Sequence, residues 1–415
     1  MERHLLDLFW PVFCIGQYVG FFPCKRIKDP VNGKITLRPI NGKIQWTIYT
    51  CTMILSNAGS LVSATILFTS PQGYENLVKC IGNDGANHNV MEVSSAMVSI
   101  GLIYGIGFIV QWETFKAKFD LCQLSNYADG NISRSSQDDF KILWPFSVIT
   151  LLTLVFVSIS SLLITFIHID CLSIHWIGSI LTVFSHFMSL VIFGYPIFVF
   201  LALVLEINLM VLSQCKQYQQ FDQHGLKKIV DFIDYLEISK KLLSPNYFYV
   251  TTFLSIEILI LLFMIISQML MRMGIEFINP MFALVLIENG IYLSSISFYL
   301  YFINIWSQKV TNQVQELKGQ LQKIFIPHDS GVMEFDKHLV PISFVKKYVE
   351  EKLEEFHGFD GNGYFILGKS FLKNLLTFIA TYFVILMQFR LSQSSTDNPM
   401  SINPSNSSIV SQKPF

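Results

Sequence analysis

Hydrophobic residues are concentrated in seven long runs that are separated by polar segments. Each run is close to the ~20 residues that an α-helix needs to cross a bilayer. The predicted spans cover residues 44–69, 91–112, 142–167, 176–205, 247–270, 280–304 and 370–391. The pattern therefore predicts an all-α membrane protein with seven transmembrane helices.

Composition supports the membrane assignment. Hydrophobic residues make up 52% of the chain and charged residues only 14%, whereas about a quarter of the residues of a soluble domain are charged. The net charge of −1 and the lack of a basic block argue against a nucleic-acid partner. Residues 1–26 contain short apolar runs and no small-residue cleavage site, so no signal peptide is predicted.

Lysine and arginine are distributed very unequally between the two sides of the predicted membrane. The N-terminal segment and the loops after spans two, four and six together hold 24 of these residues, while the opposite side holds four. The positive-inside rule therefore places the N-terminus in the cytoplasm and the C-terminus outside. This orientation is the reverse of that of a G-protein-coupled receptor.

The last apolar run carries a narrow polar stripe. Thr381, Ile385, Gln388 and Ser392 are spaced i, i+4, i+7 and i+11, so they share one helix face, and Phe389 lies at its edge. An amide in hydrocarbon needs a hydrogen-bond partner or water. The stripe is therefore expected to face another helix or an aqueous path.

The same run also contains a recognisable motif. Thr381-Tyr382, five hydrophobic residues and then Gln388-Phe389, in the last span, resemble the signature of insect gustatory receptors. The inverted orientation agrees with the topology of insect chemoreceptors. The resemblance implies a tastant-gated, non-selective cation channel in the plasma membrane, in which four subunits surround one pore. It further implies that Gln388 and Phe389 form the constriction and that Ile385 and Ser392 line the path.

The predicted organisation has five parts. Residues 1–43 form a cytoplasmic segment along the membrane surface, and 44–304 hold spans one to six with a ligand pocket in their outer halves. Residues 305–369 form cytoplasmic anchor helices, 370–391 the pore-lining span and 392–415 a disordered extracellular tail. By the resemblance, the assembly is a homo-tetramer or a hetero-oligomer with related receptors.

Two amphipathic helices are predicted in the cytoplasmic loop, over residues 311–325 and 343–356. Packing of their apolar stripes within the same chain is favoured, and the resemblance offers a subunit contact as the alternative. Gly358, Gly361 and Gly363 are expected to break the chain before the last span. The stripes consist of Val314, Leu317, Leu321 and Phe325, and of Val345, Tyr348, Val349, Leu353 and Phe356.

Polar residues inside the spans are the candidates for ligand binding. An acidic residue at bilayer depth costs at least ~2.5 kcal/mol and so usually marks a cavity, a pathway or a partner. Hydrogen bonding to a neighbouring helix is the alternative, and it is favoured for Glu257 and for His186. Polar groups beside aromatic faces suit a sugar-like ligand without excluding a bitter one. The ligand-binding candidates are Trp176, His186, Glu288 and Asn289.

Other chemistry is weakly supported. No set of nucleophile, base and orienting group indicates an enzyme, and His168, Cys171 and His175 in one loop do not amount to a metal site. No cofactor or metal is predicted. Cys80 and Cys171 fall on the outer side, where a disulfide is possible but not favoured; the other five cysteines are expected to be core or cytosolic thiols.

Two glycosylation sequons test the predicted orientation, because Asn406 lies on the outer side and Asn131 in a cytoplasmic loop. Three alternative functions stay open: a related odorant-receptor channel, a seven-span receptor that is not a channel, and a transporter. The partners expected for the favoured reading are a small-molecule tastant, the lipid bilayer and other receptor subunits.

Overall fold

The computed structural model describes residues 22–28, 35–40, 118–131, 223–272, 280–324, 332–335 and 338–396, together with scattered positions within 13–17, 42–54, 95–116 and 197–212. The description below concerns these residues. The continuously described stretches form five helices and two hairpins. The helices are α1 (Lys118–Asn131), α2 (Gln223–Arg272), α3 (Pro280–Ile324), α4 (Ile342–Glu355) and α5 (Lys369–Thr396).

The two longest helices extend well beyond a bilayer. α2 has 50 residues and α3 has 45. At 1.5 Å per residue they are roughly 75 Å and 68 Å long, against a hydrocarbon thickness of about 30 Å. Among the described helices, the segments Tyr247–Ser267 of α2 and Lys369–Phe389 of α5 are long and apolar enough to cross a membrane. The remainder of α2, before Tyr247, extends outside the predicted span.

Helix α3 is continuous where the sequence predicted a domain boundary. The predicted membrane part ends at Asn304, yet the helix continues to Ile324. The predicted amphipathic helix from residue 311 is therefore the C-terminal part of α3 and not a separate helix. No helix-breaking residue lies at the predicted boundary, so the change from apolar to polar composition leaves the backbone uninterrupted.

Two antiparallel hairpins correct the all-α prediction. β1 (Cys24–Lys28) pairs with β2 (Ile35–Pro39), and β3 (Val332–Phe335) pairs with β4 (His338–Pro341). The first hairpin lies in the N-terminal segment that was predicted to run along the membrane surface. The hairpin pairs its backbone groups internally, and its inner face buries Cys24 and Leu37.

Segments predicted to lie on one side of the membrane contact one another. The Asn126 side chain of α1 accepts a hydrogen bond from the Leu37 N–H at 2.7 Å and donates one to the Leu37 carbonyl at 2.8 Å. The Tyr127 hydroxyl donates to the Lys228 carbonyl of α2, and the Tyr348 hydroxyl of α4 donates to Asp234 of α2 at 2.8 Å. The N-terminal hairpin, α1, the start of α2 and α4 therefore form one layer.

The apolar stripes predicted for the cytoplasmic loop are buried within the chain itself. Val314, Leu317 and Leu321 of α3 are buried in the same cluster as Val345, Val349 and Leu353 of α4, and Tyr348 is partly buried against it. Lys318 also forms an ion pair with Glu354 at 2.9 Å. Packing within one chain, the favoured interpretation of these stripes, is confirmed for these residues; Phe325 lies outside the described residues.

Candidate functional site

Helix α5 has two distinct faces. Leu375 and Ile379 are buried, and Phe371, Phe383 and Leu386 pack against the same core. At 100° per residue these side chains form one stripe along the helix. The predicted polar stripe lies on the other side of α5, and all four of its members are exposed in the single chain: Thr381, Ile385, Gln388 and Ser392.

The two candidate membrane segments differ greatly in the fraction of their residues that is buried by the rest of the chain. In Tyr247–Ser267 of α2, 67% of the most apolar window is buried, whereas in Lys369–Phe389 of α5 the share is 11%. Exposed aromatic and aliphatic side chains on α5 include Leu376, Phe378 and Phe389, the last of these 61% exposed. Helix α5 thus presents most of its surface to something other than the helices of its own chain.

The motif residues make mainly local contacts. The Thr381 hydroxyl donates to the Thr377 carbonyl one turn earlier at 2.9 Å, which satisfies this polar group within the helix. Tyr382 packs on Phe378, with ring centroids 4.4 Å apart. Gln388 and Phe389 are exposed side by side near the end of the apolar segment. The motif is therefore displayed on the surface of α5 and is not part of the buried core.

Side chains from α3 hold the beginning of α5. Asn304 Oδ1 accepts a hydrogen bond from the Gly368 N–H at 2.9 Å, and Gln308 Oε1 accepts one from the Lys369 N–H at 3.4 Å. The Ser307 hydroxyl donates to the Leu367 carbonyl at 3.2 Å. The first N–H groups of a helix have no partner within it. Helix α3 supplies a partner for the first of these groups, the Lys369 N–H, and for the N–H of Gly368, the residue just before the helix.

The approach of the two helices at this point is close. A Cβ atom on Gly368 would lie 2.6 Å from Gln308 Oε1, which is nearer than non-bonded atoms normally come. Asn304 and Ser307 are completely buried, and Asn304 also donates to the Leu300 carbonyl within α3 at 2.8 Å. We refer to Asn304, Ser307 and Gln308 as the α3 clasp.

The segment before α5 is anchored to α2 through Asp360. Its carboxylate accepts hydrogen bonds from the Ser244 hydroxyl and from the Gly363 N–H, and it lies 3.4 Å from Lys240 Nζ. The Asn362 N–H in turn donates to the Ser244 hydroxyl at 2.7 Å. The anchored segment therefore links the first half of α2 to the start of α5.

Two glycines shape this connection. Gly358 and Gly363 have φ angles of 126° and 78°, a conformation that side-chain-bearing residues rarely adopt. They lie between the end of α4 and the start of α5, so the break that the glycines predicted is confirmed. A cavity of 410 Å³ lies beside the segment, and its lining includes Glu237, Lys352 and Asp360.

The charged contacts in the layer formed by the N-terminal hairpin, α1, the start of α2 and α4 are mostly exposed. Lys352 contacts Glu237 at 3.3 Å and Glu355 at 3.1 Å, and these hydrogen bonds raise its pKa. Burial, together with the hydrogen bond to Asp234, raises the pKa of Tyr348 to about 12. Tyr348 therefore keeps its proton at physiological pH and acts as a hydrogen-bond donor from α4 to α2.

The deep acidic residue has a partner on the neighbouring helix. Glu257 of α2 is completely buried, and its Oε1 accepts a hydrogen bond from the Tyr292 hydroxyl of α3 at 2.9 Å. Tyr292 lies one helical turn after Asn289, which is half-buried. The structure thus brings Glu257 next to the part of α3 that holds two of the predicted ligand-binding candidates.

Several predicted site residues lie outside the described residues. These are Trp176, His186, Cys80, Cys171 and Asn406, and the side chain of Glu288 is likewise not described. Sequence reasoning missed the α3 clasp and the anchoring of Asp360. Polar residues at positions 304, 307, 308 and 311 follow helical spacing at the end of an apolar run, and this pattern was the available signal.

No protein-family model matches the chain, and no curated protein sequence matches it. Solved structures, by contrast, are similar to this chain. The insect olfactory receptor OR5 from Machilis hrabei, in complex with eugenol, is similar with a TM-score of 0.64 at 12% sequence identity, over 93% of this chain and 98% of the receptor. The structure of the same receptor described without eugenol gives a TM-score of 0.62 over the same shares, also at 12% identity.

The likeness covers nearly the whole length of both chains, so it concerns the entire architecture and not one motif. It also agrees with the resemblance that the last-span motif suggested from the sequence. This chain has the fold of the insect olfactory receptor OR5.

Proposed function

We propose that this chain is one subunit of a ligand-gated ion channel of the insect gustatory-receptor type, in which α5 lines the pore. One observation carries the proposal. The face of α5 that holds Gln388 is exposed in the single chain, opposite a face that packs on the core. A polar amide in an apolar membrane helix requires a partner or water. In an assembly, that face is directed toward a shared aqueous path.

The residues on this face suit a gate. A ring of Phe389 side chains excludes ions by dewetting, and a ring of Gln388 amides hydrates ions when it is turned into the path. Ile385 and Ser392 line the path on either side. Non-selective cation conduction is proposed from the family resemblance, as is the assembly of four subunits, either identical or from related receptors.

The low coverage of α5 supports an oligomer. Only 11% of its apolar window is buried by its own chain, and Leu376, Phe378 and Tyr382 are exposed along it. Lipid covers such a surface on one side, while neighbouring subunits cover the side that faces the pore. The proposed assembly lies in the plasma membrane, with the N-terminus in the cytoplasm and the C-terminus outside.

The ligand is proposed to bind in the outer halves of spans one to six, near Asn289. Trp176, His186 and Glu288 are the other candidate contacts. OR5 of this fold has been solved with eugenol, a finding that supports a small organic molecule as the ligand class for this chain too. We propose a dissolved tastant, either sugar-like or bitter, and neither an enzymatic substrate nor a nucleic acid.

Helix α3 connects the proposed ligand site to the start of the proposed pore helix. Asn289 and Asn304 are 15 residues apart in one uninterrupted helix, a distance of roughly 22 Å. From Asn304 onward, the α3 clasp holds the beginning of α5. A ligand that binds better when α3 is displaced would thereby favour a different position of α5. The pore then opens because ligand binding stabilises that arrangement.

An olfactory-type channel is the second candidate, because the solved structures with this fold are olfactory receptors. The Thr381-Tyr382…Gln388-Phe389 motif favours the gustatory type. The two differ in ligand class, so a panel of dissolved sugars and bitter compounds tested beside volatile odorants separates them.

The proposal is tested by patch-clamp recording from cells that express only this chain, with G-protein signalling blocked. Wild type is compared with Gln388→Ala and with Leu376→Ala, an exposed α5 position away from the polar stripe. We expect rapid currents whose conductance or ion selectivity changes in Gln388→Ala and stays unchanged in Leu376→Ala. Currents that disappear when G-protein signalling is blocked would refute the channel function.

A further inference from the structure

Two cysteine thiols from distant parts of the chain are in contact where the N-terminal hairpin packs on α1. Cys24 lies in β1 and Cys122 in α1, and their sulfur atoms are 2.7 Å apart, with the Cys122 thiol donating to Cys24. The Cys24 thiol donates in turn to the Lys118 carbonyl. Both side chains are buried, and both cysteines are in the free thiol form.

The surrounding structure holds these two sulfurs together. One turn after Cys122, the Asn126 side chain pairs with both backbone groups of Leu37, at 2.7 Å and 2.8 Å. Leu37 lies on β2, whose neighbour β1 carries Cys24, and Cys24 pairs with Pro39 in the hairpin register. The hairpin is thereby fixed on α1 by contacts that do not involve sulfur. The packing of the hairpin on α1 therefore keeps the two sulfur atoms close together.

Two other roles for the pair fit less well. A metal site needs further ligands, and no group of three or more His, Cys, Asp or Glu side chains that could hold a metal occurs among the described residues. Simple core packing does not require two sulfurs, because small apolar side chains fill such a space. A disulfide bond, by contrast, joins two sulfur atoms that are about 2 Å apart. The two sulfur atoms here are 2.7 Å apart, so a small movement of the side chains is enough to form it.

We propose that Cys24 and Cys122 form a reversible oxidation site, at which a peroxide converts the two thiols into a disulfide that ties the N-terminal hairpin to α1. In the predicted orientation both residues lie on the cytoplasmic side. Glutathione keeps thiols reduced in the cytosol, and the disulfides that do form there are usually transient and redox-sensing. The site is reduced at rest and closes when peroxide rises.

The chemistry requires one molecule of hydrogen peroxide. One of the two sulfurs attacks one peroxide oxygen, the O–O bond breaks, and the departing hydroxide takes up the thiol proton to form water. The other sulfur then attacks the sulfenic sulfur, and the hydroxide that leaves combines with the second thiol proton as a second water. Two thiols are oxidised to one disulfide while peroxide is reduced to two water molecules.

Burial raises the pKa of the Cys24 thiol, and the thiolate is the form that attacks peroxide. Both side chains are buried, so the first oxidation is slow. The second step is rapid because the partner sulfur already lies 2.7 Å away.

The test uses the full-length protein, purified in detergent and reduced before treatment. Hydrogen peroxide is added, remaining thiols are alkylated with N-ethylmaleimide, and the digested peptides are identified by mass spectrometry. We expect a cross-linked pair of peptides that contains Cys24 and Cys122, with loss of two hydrogens, and its disappearance after dithiothreitol. Cys14 and Cys51, which are also free thiols, serve as internal controls and should not be cross-linked to Cys24 or Cys122.

Two variants complete the test. In Cys122→Ser and in Cys24→Ser no cross-linked pair can form, and the cysteine that remains should be trapped as a sulfenic acid by a dimedone probe. The wild-type measurement does not depend on how well either variant folds. The proposal is overturned if peroxide leaves both thiols of the wild type alkylatable, or if it oxidises them without linking them. Cross-linking of either cysteine to Cys14 or Cys51 to the same extent would also overturn it. The outcome is independent of channel activity.

Discussion

Asn304 Oδ1 of α3 accepts a hydrogen bond from the backbone N–H of Gly368, 2.9 Å away at the start of α5. Asn304 is completely buried, and its amide also donates to the Leu300 carbonyl of its own helix. The proposed pore helix therefore begins at a contact made by another helix.

Replacing Asn304 by alanine removes this contact. A buried N–H group left without a partner costs about 1–3 kcal/mol, so we expect Asn304→Ala to lower the free energy of unfolding by that amount. Asn304→Asp keeps the acceptor for the Gly368 N–H and should lose less. Thermal unfolding of the detergent-solubilised protein measures both. Equal losses in the two variants would contradict a capping role for Oδ1.

Gly368→Ala tests the close approach of α3 and α5. The new methyl group would lie 2.6 Å from Gln308 Oε1, so the Gln308 side chain must move away and give up its hydrogen bond from the Lys369 N–H, at a cost of about 0.5–1.5 kcal/mol. Gln308→Ala gives up the same hydrogen bond, so the double variant should lose little more than Gly368→Ala alone. A double-mutant cycle on thermal stability measures the coupling. Additive effects of the two substitutions would argue against the clash.

Asp360 and Lys240 are expected to contribute very unequally to the segment before α5. The ion pair between them is 3.4 Å long and partly exposed, so Lys240→Ala should cost no more than about 1 kcal/mol. Asp360→Ala also removes the acceptor of the Ser244 hydroxyl and of the Gly363 N–H and should cost more. Hydrogen exchange of residues 356–368 should rise strongly only in Asp360→Ala. A similar rise in both variants would show that the ion pair dominates.

The orientation in the membrane is tested by the two sequons. Asn406 should carry a glycan because the C-terminus is predicted outside, and Asn131 should not, because its loop is predicted to be cytoplasmic. Enzymatic deglycosylation of the protein from insect cells should lower its apparent mass in wild type and in Asn131→Gln but not in Asn406→Gln. A glycan on Asn131 would reverse the proposed orientation.

The sequence predicted the parts of the fold that depend on local periodicity. The apolar runs located the membrane segments of α2 and α5 to within a few residues, and helical spacing identified the buried stripes around Leu317 and Val349. The glycines before α5 marked a real break. These predictions succeed because burial of an apolar stripe is specified by residues close together in sequence.

The contacts between distant segments were not predictable in this way. Asn304 and Gly368 are 64 residues apart, and Cys24 and Cys122 are 98 apart, so their pairing depends on how whole helices and hairpins pack. The first hairpin was missed despite a usable signal, the Asn32-Gly33 pair between two short alternating stretches. Its lysines and prolines obscured the strand pattern.

The central claim is that the Gln388 face of α5 lines the conducting path. The most direct measurement is block of the agonist-evoked current by a positively charged methanethiosulfonate reagent, in Gln388→Cys compared with Leu376→Cys and with wild type. Both positions are exposed on α5, but only Gln388 lies on the polar stripe. Rapid block of Gln388→Cys alone is the predicted result. Conducting Gln388→Cys channels that the reagent modifies without any change in current, or block of Leu376→Cys to the same extent, would contradict the claim.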